Sequence, residues 1–159
     1  MLEEKVRIGI KYAKIGILVA FIGTVTQNVL GYFNLIDKAL PIILEENLRD
    51  WHTIILILIT AIVLAPIIEE SLFRLLPIGI VFLIWGKENK FILWPVIIIS
   101  SVIFGWVHGS WQNILIQGSV GIVFSMAFLK GGYISAVVAH AVYNFIAVAV
   151  VVIGILFSS

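Results

Sequence analysis

"WHTIILILITAIVLAPIIEESLFRLLPIGIVFLIW", residues 51–85, is the stretch whose reading decides the fold. It is apolar almost throughout, and its ionisable residues are His52 at the start and Glu69, Glu70 and Arg74 inside it. At 1.5 Å per residue, a helix over 51–85 is about 52 Å long, well beyond the roughly 30 Å of a bilayer's hydrocarbon core. Pro66 and Pro77 each remove a backbone N–H from the helical ladder. The stretch therefore predicts a kinked or two-part membrane helix with "EESLFR" (69–74) just after the first break.

The rest of the chain has the same character. Of 159 residues, 62% are hydrophobic and 12% charged, against about 25% charged in a soluble domain, and the mean hydropathy is +1.17. This composition predicts an all-α, multi-pass integral membrane protein, a bundle of five or six spans in one membrane-embedded domain over 1–159. A net charge of +1 gives no basic surface for nucleic acid. The absence of cysteine removes disulfides, thiolate zinc sites and a thiol nucleophile together.

A first span is predicted over Val6–Leu30, with Lys5, Arg7, Lys11 and Lys14 snorkelling at its start. The apolar run after Lys14 is too long for the core of a cleaved signal peptide and reads as this span. Residues 31–51, with Pro41 and "EENLRD", read as an interfacial loop with a short amphipathic helix. "GKENK" (86–90) is a polar turn. A span from Trp94 to Val107 follows, then "HGSWQN" (108–113), then a span ending near Leu129. "KGG" (130–132) is a tight turn before a last span from Tyr133 to Phe157. Trp51, Trp85, Trp94 and Trp111 fall near span ends, as an interfacial aromatic belt does. Lys87, Lys90, Lys130 and the N-terminal cations share one side if 51–85 crosses once, with Lys38 and Arg49 on the other, which favours a cytoplasmic N-terminus.

Away from loops and helix ends, the ionisable residues are Glu69, Glu70, Arg74, His108 and His140. By insertion scales a charged residue at a helix centre costs about 2.5–3.5 kcal/mol, so such residues pair, face the bundle interior or serve function. Their spacing points to one shared cluster. Glu70 and Arg74 are four apart, as are Phe104 and His108 in "FGWVH" (104–108), and His140 and Asn144 in "HAVYN" (140–144). Four residues on a helix bring both side chains to one face. Glu69 is rotated by about 100° from Glu70, so the two carboxylates need not share a role. Taken one at a time, Glu70 with Arg74 reads as a structural ion pair, His108 as interfacial and Asn144 as helix-packing glue. Convergence has an obstacle. Counted from Lys90 and Lys130, His108 lies about 18 residues along and His140 about 10, an offset of roughly 12 Å for straight helices. Tilt, or a helix that starts only at Pro95, would have to close it.

The three motifs in order, E-E-x-x-x-R, F-x-x-x-H and H-x-x-x-N, resemble those of the CPBP or Abi family of CAAX-prenyl endopeptidases and bacteriocin-processing or self-immunity membrane proteins. The resemblance covers residues 60–146, including "AP" before the glutamates and "GIVFSMAFLKGGYISAVVAHAVYN" leading to the third motif. The chain is shorter than many members, and Leu75 stands where many have glycine. The resemblance implies an intramembrane glutamate-type endopeptidase of a prokaryotic cell membrane. Glu69 and His108 would activate water, His140 and Asn144 would donate to the oxyanion, and Glu70, Arg74 and Phe104 would support them, with no cofactor. Its partners would be the bilayer and a membrane-associated peptide or lipidated protein. Two alternatives stay open: a zinc-dependent protease, since Glu, His and His can form a three-ligand set, and a noncatalytic immunity factor or scaffold. A proton-coupled transporter is disfavoured by so few spans and a single acidic pair.

Overall fold

In the computed structural model, which describes residues 1–33, 51–109 and 111–158, the run 51–85 stays helical from end to end. Two π turns, Thr60–Leu64 and Ser71–Leu75, interrupt its α-helical bonding, and Pro66 and Pro77 each stand second in the α segment that follows, Ala65–Glu70 and Leu76–Trp85. The junctions keep right-handed helical angles, φ −60° and ψ −49° at Ala65. Of the two expected forms, the two-part helix is not found: the run is one continuous helix with two widened turns.

The reason lies in which carbonyls the prolines leave open. A π turn pairs each N–H with the carbonyl five residues back. The Ala65 N–H reaches Thr60 O, so Ala61 O would next receive the N–H of residue 66, and proline has none. Asn144 Nδ2 donates to Ala61 O instead, at 2.7 Å. Further along, the Leu76 N–H reaches Ser71 O, Pro77 has no N–H for the carbonyls of residues 72 and 73 that follow, and Phe73 O receives the hydroxyl of Ser100. The helix passes through both prolines because two neighbouring helices supply the missing donors.

We label the rods α1 (Leu2–Tyr32), α2 (51–85), α3 (Lys90–Trp106), α4 (Ile114–Gly131) and α5 (Tyr133–Ser158). Among the described residues there is no strand. Among the described residues four helices, Leu2–Tyr32, Ile55–Trp85, Ile114–Gly131 and Tyr133–Val150, are long and apolar enough to cross a membrane, and Lys90–Trp106 is a shorter apolar helix. This is the expected all-α membrane bundle. The turns at 86–89 and 132 fall where the sequence placed them, with Gly86 and Gly132 both at φ 78°, a conformation glycine adopts without a Cβ clash. α3 begins at Lys90 rather than Trp94, capped by Asn89, whose side chain accepts the Ile92 N–H at 3.4 Å. Residues 34–50, with most of the predicted interfacial loop and with Lys38 and Arg49, lie outside the described residues.

α1 packs on α4 and α5 through Gly9, Gly16 and Gly23, spaced seven apart and all buried. A Cβ on Gly9 would lie 2.7 Å from Val138 and 2.8 Å from Ser135 O, so the backbones touch. Ser135 Oγ donates to Lys5 O at 2.8 Å across this seam. In membranes, where lipid is as apolar as leucine, such close approach is a main source of helix association. One buried apolar cluster, Ile78, Val81, Leu93, Ile97, Phe128 and Ala136, joins α2, α3, α4 and α5. A second, Val120, Phe124, Ala127, Ala139 and Tyr143, packs against α1.

Gly9→Ala is expected to lower the thermal stability of the purified protein by about 1–3 kcal/mol through overpacking. Gly79→Ala, whose new Cβ meets nothing within 4 Å, should gain up to about 1 kcal/mol from helix propensity. Thermal unfolding in one detergent compares the two; equal effects would contradict the α1 seam.

Candidate active site

α2 brings its two carboxylates to different surroundings. Glu70 and Arg74 have no exposed side-chain surface, and Arg74 Nη1 lies 3.3 Å from Glu70 Oε1. Glu69 keeps 25% of its side chain exposed. His140 of α5, almost fully buried, sits between them. Its Nδ1 is 2.8 Å from Glu70 Oε1 and its Nε2 is 3.6 Å from Glu69 Oε2. The rotation between adjacent residues thus sets the two acids on the two nitrogens of one ring.

Aromatic rings complete the surroundings of Arg74. Its Cζ lies 4.4 Å from the Phe104 ring centroid and 5.7 Å from that of Phe124. Among the described residues none of its three nitrogens makes a hydrogen bond, so the Glu70 charge and two π faces hold it. A Cβ on Gly121 would lie 2.7 Å from Arg74 Nη2, which makes glycine a steric requirement there. Phe124 also stacks on the His140 ring, with centroids 4.6 Å apart and planes at 22°. Phe124 and Gly121 were missed by the sequence reading. Both lie in the "GIVFSMAFLKGG" approach to the third motif, and the available signal was their common face with Phe128, at i, i+3 and i+7.

His108 stands just past the end of α3, and its Nδ1 is 2.6 Å from Phe104 O. A carbonyl only accepts, so Nδ1 carries the hydrogen and Nε2 presents a lone pair in the neutral ring. That Nε2 is 3.8 Å from Glu69 Oε2. Asn113 Nδ2 donates to His108 O at 2.6 Å and ties the following loop back. Phe104 therefore both orients His108 through its carbonyl and lies under Arg74 with its ring.

Both imidazoles thus reach Glu69, although α3 does not start at Pro95. The anticipated offset, counted along straight and separate helices, is not found. Tyr133, directly after the 132 turn, donates its hydroxyl to Ile67 O at 2.9 Å and lies 2.9 Å from Ser71 Oγ, Ala136 packs with Ile78 and Val81, and His140 meets Glu70.

Glu69 Oε2 is buried without a hydrogen-bond partner among the described residues, and it faces two ring nitrogens. Glu69 Oε2 and the Nε2 lone pair of neutral His108 are two acceptors side by side, which suits a water molecule or a shared proton between them. Among the described residues, no group of three or more His, Cys, Asp or Glu is placed to hold a metal ion. Asn144, one turn beyond His140, commits one N–H to Ala61 O.

Comparison with known proteins bears on these residues. The family model described as Type II CAAX prenyl endopeptidase Rce1-like matches residues 51–146, more than half of the chain and all three motifs. An uncharacterised 24.3 kDa protein of Escherichia coli is 33% identical over 91 residues, 55% of this chain and 40% of that protein. The chain thus aligns with less than half the length of that relative. No solved structure matches.

The Asn144 contact has a testable consequence. Asn144→Ala leaves Ala61 O open and is expected to cost about 1–3 kcal/mol, the usual range for a buried group left unsatisfied. Pro66→Ala returns an N–H to the same carbonyl, so Asn144→Ala should cost clearly less in that background. Equal costs in the two backgrounds, measured by thermal unfolding, would show that Asn144 does not act through Ala61.

Proposed function

The chain belongs to the Rce1-like family of type II CAAX prenyl endopeptidases, and from that premise we propose that it is an intramembrane glutamate-type endopeptidase. Its substrate is a membrane-associated peptide, prenylated or carrying a leader. The reading is carried by the convergence of His108 Nε2 and His140 Nε2 on Glu69 Oε2, at 3.8 and 3.6 Å, on the partly exposed side of the cluster.

Glu69 and neutral His108, as neighbouring acceptors, can hold a water by its O–H bonds, and Glu69 can take a proton from it as its oxygen attacks. Glu69, aided by His108, removes that proton while the water oxygen bonds to the scissile carbonyl carbon, whose π electrons move to the carbonyl oxygen. His140 meets the resulting oxyanion. With Nδ1–H directed at Glu70 Oε1, its Nε2 donates only as the imidazolium, with Glu70 as its counter-charge throughout and Glu69 until it takes the water's proton. The Asn144 amide has a second N–H besides the one on Ala61 O, and this is the other donor. Collapse of the intermediate breaks the C–N bond, and the proton held at Glu69 passes to the leaving amine. Glu70, Arg74 and Phe104 are positioning residues: they hold the two rings and touch no reacting atom.

The purified protein is expected to cleave membrane peptides after exhaustive chelation, with Glu69→Gln close to inactive but as well folded as wild type. Stoichiometric zinc in the protein, with activity lost on chelation and restored by adding zinc back, would replace this reading by a metalloprotease. Identical membrane-peptide profiles from cells carrying wild type or Glu69→Ala would replace it by a noncatalytic role.

A further inference from the structure

The face of α1 turned away from the bundle has an order of its own. Arg7, Lys11 and Lys14 are exposed, and so are Leu18, Phe21 and Val25 below them, the last three at 59%, 66% and 45%. At 100° per residue these six positions fall within a sector of about 80°. The buried Gly9, Ala13, Gly16 and Gly23 lie on the opposite side. One continuous stripe thus changes from cationic to apolar between Lys14 and Leu18.

The length of α1 sets the level of that change. About 20 residues cross the hydrocarbon, and α1 has 31, so its charged N-terminal turns extend past the hydrocarbon. The change from Lys14 to Leu18 then falls where headgroups meet acyl chains. The three cations, with Glu3, Val6 and Ile10, line an open cavity of about 460 Å³. Glu3 and Glu4 lie in the first turn, farther from the apolar stretch than any of the three cations. Three cations against Glu3 leave the cavity a net charge of +2 (3 − 1).

We propose that this stripe is a binding site for an anionic glycerophospholipid. Its phosphate is held by Arg7, Lys11 and Lys14, and an acyl chain runs along Leu18, Phe21 and Val25. Basic residues at a membrane surface attract anionic lipid electrostatically, and the apolar continuation on the same face selects an amphiphile over a soluble polyanion. The site lies outside the family-matched region, 51–146, and does not depend on the proposed peptidase activity.

The test uses the full chain in phosphatidylcholine nanodiscs with rising fractions of phosphatidylglycerol, read by thermal unfolding. Phosphatidylglycerol should raise the wild-type midpoint by on the order of 5–10 °C. The Arg7→Gln/Lys11→Gln/Lys14→Gln variant should lose this rise, and the charge-preserving Arg7→Lys/Lys11→Arg/Lys14→Arg variant should keep it. An equal rise in the glutamine variant, or no rise in wild type, overturns the site. Inorganic phosphate producing the same rise in pure phosphatidylcholine discs would show a soluble-anion site and overturn the lipid assignment.

Discussion

Glu70 is a carboxylate with no exposed surface in a bundle that faces lipid, and the rest of the site depends on how it is neutralised. Its Oε1 faces Arg74 Nη1 at 3.3 Å and His140 Nδ1 at 2.8 Å. An isolated buried charge is very costly, and a buried pair is tolerated only with good geometry and further contacts. Those contacts come from α3 and α4: the Phe104 and Phe124 rings lie against the guanidinium, and Gly121 leaves room for it. One acid thereby fixes four of the five described helices around a point. It also sets the His140 ring so that its far nitrogen faces Glu69.

A second constraint acts on the same helix. Pro66 and Pro77 lie on either side of the "EESLFR" motif, and each leaves a carbonyl without its N–H. Asn144 and Ser100 fill these two vacancies. The prolines thus convert α2 from a self-sufficient helix into one completed by α5 and α3, the helices that carry His140 and lead to His108. Register between acid and base is maintained by hydrogen bonds two turns away from Glu69 and one turn beyond it.

Much of this was legible in the sequence because charge is conspicuous in an apolar chain. Glu69, Glu70, Arg74, His108 and His140 stood out by cost alone, and spacings of four gave their faces. The different surroundings of Glu69 and Glu70 followed from helical rotation. What stayed hidden depends on tertiary context. Phe124 is one aromatic among many in apolar helices and carries no mark until His140 stacks on it. The π turns carried no mark in the sequence, because that bonding depends on whether another helix offers a donor to Ala61 and Phe73. The meeting of His108 and His140 at Glu69 depends on how the helices pack, with Tyr133 bonded to Ile67 O, which no residue count along separate helices can give.

The central claim is that Glu70 and Arg74 form one mutually neutralising unit on which assembly depends. A double-mutant cycle with Glu70→Gln and Arg74→Met, followed by thermal unfolding in lipid nanodiscs, tests it directly. Each single substitution leaves a buried polar partner unmatched and is expected to cost about 3–5 kcal/mol, the usual range for a broken buried pair. The double variant should cost clearly less than the sum of the two. Single variants as stable as wild type, or costs that simply add, would contradict the account.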